Sequence, residues 1–417
     1  MTGGPSGAEP AAPRRGTVAV LALIAATGSM AIHMLVPALP RIAAEFATGE
    51  ARAQQAVSFY LAGLAGGQLI AGPLIDRLGR RPLMLAGLLL YIAGGMAAAL
   101  APQIDLLLAA RVVQACGGAF GVVSARVMVG DLFGPHRAPG VQATLMAIVL
   151  VSPAFAPVIG GAIADVAGWR AIFGLLGIAG IAGLACFHRL PETRPALAAP
   201  TAQPVAGAVP ANGPANGPAA GESLVRSYLR LLGNRGFLLT AATLGAASSG
   251  LYMFLGAAPF LFAHRYGLGA GESGVALLVV ALGGIAGTRL VMPVQKRGDG
   301  MIVGTGAAAT GSACALALAL SGTSSLAAFV GPFILLGIGA GLAGPVAFNH
   351  VAFAERGLAA TATSLAGAMQ MLASSIALGL LGFLAPVTPL RLALAVTAAT
   401  ALALMCALSR RATASAV

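Results

Sequence analysis

The residues of this chain able to do chemistry are few, and most lie where water should be scarce. Arg111 stands in LLLAARVVQACGGAFGVV, with Gln114 one helical turn on, and His33 stands in a second apolar run, TGSMAIHMLVPALP. An arginine held in hydrocarbon costs about 2.5–3.5 kcal/mol on insertion scales, so its default reading is a functional group facing protein or water. Gln114 can hydrogen-bond it or share a solute with it. The alternative is an Arg111 that reaches back to the surface, as Arg126 and Arg289 can from nearer the ends of their runs. Enzyme signatures do not appear. The sole lysine, Lys296, follows Gln295 rather than a glycine, which excludes a P-loop. GxGxxG occurs at 269–274 and 339–344, in a loop and in an apolar run, and neither can follow a strand of a βαβ unit. No GxSxG, HExxH or carboxylate pair is present, and Cys116, Cys186, Cys314 and Cys406 form no CxxC. We expect no enzyme, no metal and no cofactor.

The elements that must position these groups follow from composition. Of 417 residues 58% are hydrophobic and 9% charged, with mean hydropathy +0.91; a water-soluble chain carries about a quarter charged residues. The solvent for most of this chain is therefore lipid. A net charge of +12 raises nucleic acid as a partner, but that needs a solvated basic face, and here the basic residues fill short gaps between apolar runs.

A helix needs about 20 apolar residues to cross the hydrocarbon. Such runs fall at 18–39, 55–75, 82–101, 106–127, 143–164 and 171–187, then at 237–262, 273–294, 301–320, 326–350, 359–384 and 390–408. The first is too long for a cleaved leader and is expected to stay as a span. Between the sets, ALAAPTAQPVAGAVPANGPANGPAAG is too rich in Pro, Gly and Ala to build a core. The expectation is an all-α integral membrane protein of twelve transmembrane helices in two pseudo-symmetric six-helix bundles, 1–190 and 236–417, joined by a flexible linker at 191–235. With the N-terminus cytoplasmic, 16 of the 24 lysines and arginines lie on the cytoplasmic side, five lie opposite (Arg41, Arg52, Arg170, Arg265, Arg391), and three lie within spans. The positive-inside rule then places both termini and the linker in the cytoplasm.

Between the second and third runs the chain reads GPLIDRLGRRP. Gly72 lets a helix approach its neighbour. Asp76 can accept from the N-terminal amides of another helix, with the start of the eleventh span on the same side, and Arg77, Arg80 and Arg81 hold the turn in the cytoplasm. Gly72, Asp76, Arg77, Gly79, Arg80 and Arg81 together resemble the signature loop of the major facilitator superfamily. Arg111, Gln114 and Gly117 resemble that superfamily's Arg-x-x-Gln-Gly motif. VSPAFAPVIGG resembles the antiporter motif of its drug exporters, at Pro153, Pro157, Gly160 and Gly161, with Ala156 where the common version has glycine. Together with VPALPRIA, ARVMVGDLF, GWRAIF, LPETR and AAPFLF, these are similar to the Bcr/CflA group of bicyclomycin- and chloramphenicol-resistance exporters.

The resemblance implies a bacterial inner-membrane carrier, acting as a monomer, that exports small neutral or weakly polar drug-like molecules against protons by alternating access. The alternatives are export of an endogenous metabolite or self-made antibiotic, and nutrient uptake. The resemblance puts a substrate cavity between the halves. Met30, Met34, Gln114, Tyr252, Phe254 and Gln370 are candidates to line it, with methionines suited to varied apolar ligands. Relatives commonly carry an acid where this chain has His33, and no Asp or Glu lies in the middle of any run. His33, biased toward its neutral form by Arg111, is one candidate proton carrier. The other reading makes His33 a cavity residue and leaves coupling to Asp131 or to no single residue.

Overall fold

The computed structural model describes residues 16–187, 190, 193, 224–323, 325–355, 358–384 and 386–414, with the side chains of 76, 134–140, 142–152, 224, 360 and 414 outside the description. Lipid offers peptide groups no hydrogen bonds, so a chain this apolar closes them within helices. Every regular element among the described residues is helical. Helix α1 (Thr17–His33) passes through a 3-10 turn at Val36–Ala38 into α2 (Leu39–Glu45). Pro37, four residues beyond His33, has no N–H for the His33 carbonyl, and the helix tightens there. The first membrane segment consequently extends to Glu45 rather than ending near residue 39. Helices α3 (Glu50–Leu78) and α4 (Arg80–Ala99) are separated by Gly79 alone, at φ 98°, where a Cβ costs about 1–2 kcal/mol.

Helices α5 (Ile104–Ala167), α6 (Arg170–Phe187) and α7 (Leu224–Gly233) follow, then α8 (Arg235–Tyr266), α9 (Ala270–Gln295), α10 (Gly300–Leu320), α11 (Leu326–Ala352), α12 (Ala359–Gly382) and α13 (Pro389–Ala414). Their starts are capped where the sequence supplies an acceptor: Asn234 accepts from Phe237 N, Asp299 from Met301 N and Ser325 from Ala328 N.

Eleven helices among the described residues are long and apolar enough to cross a membrane, against the twelve expected. The difference lies in α5. The sequence predicts a break between 127 and 143, and the backbone keeps helical conformation through that interval. Ile104–Phe133 qualifies as a span, while Pro153–Ala167 is shorter. A straight helix of 64 residues would be about 96 Å long. Yet Arg170, just past the end of α5, donates to the carbonyl of Ala101, just before its start, at 3.0 Å. The chain therefore turns back between Phe133 and Pro153.

Glycines seat the helices on one another. A side chain at Gly94 or Gly117 would run into the backbone of the facing helix, joining α4 to α5, and Gly287 and Gly341 do the same for α9 and α11. At the end of the bundle where α1 starts, Val20, Met84, Val129 and Phe187 share a core, and Arg410 meets Asp299 at 2.5 Å. We call this the terminal end. The opposite, distal end is laced by Arg41–Asp165, Arg52–Asp105 and Arg170–Glu45.

Of the expected linker at 191–235, residues 191–192 and 194–223 lie outside the described residues, and Leu224–Gly233 form α7. That helix buries Ser227 and Leu231 and turns Val225, Leu229 and Leu232 outward.

Candidate functional site

Arg111 is wholly buried, so it does not reach back to the surface. Its Nη1 donates to Gln114 Oε1 at 2.6 Å, Nη2 to the Ala31 carbonyl at 3.0 Å and Nε to the Ala56 carbonyl at 3.3 Å. The guanidinium lies over the Tyr60 ring, 3.9 Å from its centroid, with Phe173 5.7 Å away. One planar fork thus ties α1, α3, α5 and α6, meeting carbonyl dipoles and π faces rather than a carboxylate. Two tyrosines brace the knot: Tyr60 donates to the Gly28 carbonyl and Tyr91 to the Thr27 carbonyl, each at 3.0 Å. Sequence reasoning missed both, because a lone tyrosine in an apolar run carries no spacing signal.

His33 is buried at the end of α1. Its Nδ1 lies 2.8 Å from the Ser29 carbonyl, which can only accept. Nδ1 therefore carries a hydrogen, and Nε2 is the free lone pair of the neutral ring. The ring faces Tyr252 of α8 at 6.3 Å between centroids. Arg111 reaches α1 at Ala31, and its three donors meet Gln114, Ala31 and Ala56 rather than His33. Met34 is buried with its carbonyl against Gly160, while Met30 is half-buried. Gln370 donates to Ser248 Oγ at 2.5 Å, joining α12 to α8. Phe254 points into the second set of helices, where it stacks on Phe333 at 4.3 Å between centroids.

The two sets of helices meet along α5 with α9, α3 with α12, and α8 with the turn after α1. At the first contact Gly161 lies against Ala270 and the Pro157 carbonyl faces Gly274, while Gly160 beside them lies against Met34 of its own set. Backbone touches backbone, and no side chain fits between. Asp165 closes the distal end of this contact by accepting from Gly271 N of α9 at 2.7 Å, held in turn by Arg41. A carboxylate of one set thus caps the positive end of a helix of the other. Pro153, nearer the terminal end, is half-buried.

In the turn between α3 and α4, Arg80 Nε donates to Asp131 Oδ2 at 2.9 Å, and Thr193 Oγ1 donates to the same oxygen at 2.8 Å. Asp131 is therefore a partner of this loop. Arg81 lies over the Phe187 ring at 5.0 Å, and Arg77 is exposed. The Asp76 side chain and its expected contact with the start of α12 lie outside the described residues. Gly72 does not make the close approach expected of it: among the described residues nothing lies within 4 Å of a Cβ there. The approach is made higher on α3, where Gly63 and Gly67 press on Ala115 and Ala119.

A family model described as Major Facilitator Superfamily matches residues 21–378. The chain is similar to a chloramphenicol resistance protein of Pseudomonas aeruginosa, 29% identical over 349 residues, covering 81% of this chain and 78% of the relative. It is also similar to multidrug resistance protein D of Escherichia coli (strain K12), 31% identical over 219 residues, covering 52% of this chain but only 50% of that relative. Among solved structures it resembles a peptide transporter, POT, in complex with sulfate (TM-score 0.73, 14% identity, covering 97% of this chain and 96% of that one). A D-xylose-proton symporter gives a TM-score of 0.70 at 14% identity, with 93% and 95% covered. At such identities the structures speak for the fold alone.

Proposed function

This chain belongs to the major facilitator superfamily of membrane transporters, and we propose that within it the protein is a drug:proton antiporter of the Bcr/CflA branch. In this reading it spans the bacterial inner membrane twelve times, with α5 contributing two passes, both termini cytoplasmic and the distal end outside. Residues 1–190 and 236–417 are the two halves, and 191–235 links them. Its substrates are small, neutral or weakly polar drug-like molecules.

The observation that carries the reading is the seam between α5 and α9. An exchanger must not let protons pass without substrate, and a leak needs water. At Gly161 and Gly274 the two backbones come together so closely that not even a methyl group fits between them. The resistance functions named for two relatives supply the substrate class. Alternating access then amounts to parting this seam and the Asp165–Gly271 contact outside, while the loop of Asp76, Arg80 and Arg81 closes inside. His33 faces α8 of the second set at Tyr252 and keeps a free Nε2, as a proton carrier or a substrate contact requires.

Everted vesicles with an imposed proton gradient test the reading. Chloramphenicol should accumulate, with glucose and amino acids as controls. Uptake of a sugar or amino acid that collapses no proton gradient, with none of chloramphenicol, would replace it with a nutrient carrier.

A further inference from the structure

Glu50, at the first position of α3, is an acid that none of the preceding roles uses. Its Oε1 lies 3.0 Å from His264 Nδ1 of α8, so it bridges the two sets of helices. The pair forms one wall of a recess of about 380 Å³ at the distal end, lined also by Pro40, Thr48 and Phe260. Of the other charged groups of that end, Arg52 pairs with Asp105, Arg41 with Asp165, and Glu45 with Arg170 and Trp169. Glu272 accepts from Gly269 N, Arg391 donates to the Leu384 and Pro386 carbonyls, and Arg265 stands exposed next to His264. Behind Glu50 the same face of α3 continues with Gln54 and Ser58, each four residues on.

Gln54 is 1% exposed and Ser58 5%. Both amide atoms of Gln54, the Ser58 hydroxyl and Glu50 Oε2 are buried without a hydrogen-bond partner. Each such group costs about 1–3 kcal/mol if left dry, and four in a line along one helix face fit a file of bridging water. The file runs about 12 Å inward along α3. It ends where the Ser58 carbonyl accepts from Ser375 Oγ of α12 at 2.8 Å, at the meeting of the two sets.

We propose that Glu50 is a proton-binding site, with Gln54 and Ser58 holding a water file that carries its proton from the distal surface to the contact of α3 with α12. The ligand is the proton itself, taken up by the carboxylate oxygen facing His264 or by the buried one beside Gln54. The proposal deepens the antiport reading by naming where protons enter, and it rests on that reading for its role in transport.

Infrared difference spectra of the purified protein, between acid and alkaline buffer, detect the carboxyl directly and need no substrate. The wild-type spectrum should contain a protonated-carboxyl band that is missing from Glu50→Gln and retained in His264→Gln. An unchanged band in Glu50→Gln overturns the proposal. Proteoliposomes loaded with chloramphenicol provide the second measurement. A gradient of one pH unit supports at most about tenfold accumulation per proton exchanged. That ratio should fall to about one in Glu50→Gln and recover in Glu50→Asp; full accumulation in Glu50→Gln also overturns the proposal. If wild type shows the Glu50 band but no proton-driven accumulation, the antiport reading fails and the proton site stands.

Discussion

Replacing Arg111 separates two kinds of buried charge, and the ordering of two variants is the prediction. Lysine keeps the charge but not the fork. Gln114, Ala31 and Ala56 belong to three different helices, at 2.6, 3.0 and 3.3 Å from three different nitrogens, and a single ammonium cannot reach all of them. If Arg111→Lys loses two bonds at about 1.5–3 kcal/mol each, the first set of helices is weakened by roughly 3–6 kcal/mol. Methionine loses all three bonds and the contact with Tyr60, but it also removes a buried charge whose desolvation costs several kcal/mol. Its net effect should be roughly 0–2 kcal/mol. Lysine is therefore expected to be the worse replacement for stability. The chain's only tryptophan, Trp169, sits 6.0 Å from Phe173, itself beside Arg111, so its fluorescence on heating reports this region. At about 2–4 °C per kcal/mol, Arg111→Lys should unfold roughly 10 °C or more below wild type and below Arg111→Met. A lysine variant as stable as wild type would refute the three-way tie.

Three further outcomes follow from the same geometry. Gly161→Val places a side chain against the backbone of Ala270 and Gly271; it should hold the distal seam apart and abolish gradient-driven uptake while leaving membrane insertion intact, and normal uptake would mean the seam need not close. Gly79→Ala forces a Cβ into the left-handed region at the junction of α3 and α4, at a cost of about 1–2 kcal/mol, read as a lower midpoint in thermal unfolding; an unchanged midpoint would show that this turn relaxes freely. His33→Gln keeps a polar group but cannot carry a proton: substrate exchange without accumulation assigns coupling to His33, and full accumulation with proton release removes it from that role.

Much of the architecture was legible because lipid makes it so. Apolar length marks spans, and a motif such as GPLIDRLGRRP is recognisable wherever it occurs. Gly160 and Gly161 were legible as a motif and proved to be where α5 meets α1 and α9. The return of the chain within α5 was legible as the gap between the runs ending at 127 and starting at 143, but the helical conformation its backbone keeps there was not. The packing of Phe254 on Phe333 was not legible, because an aromatic residue in a span looks the same in sequence whatever it faces. Glu50 escaped notice because it sits at the edge of its apolar run, where an acid reads as an ordinary first-turn residue. Only the fold brings His264 to it from more than 200 positions away.

The brevity of the connections has a mechanical consequence. One residue separates α3 from α4, two separate α5 from α6, and three separate α8 from α9. Such joints have no slack. A displacement at the distal end of one helix passes to its neighbour as through a welded frame, and flexing inside a set cannot absorb it. Whatever strain a bound solute or proton introduces must then be relieved where the two sets slide over each other, and there glycine backbones present almost nothing to catch.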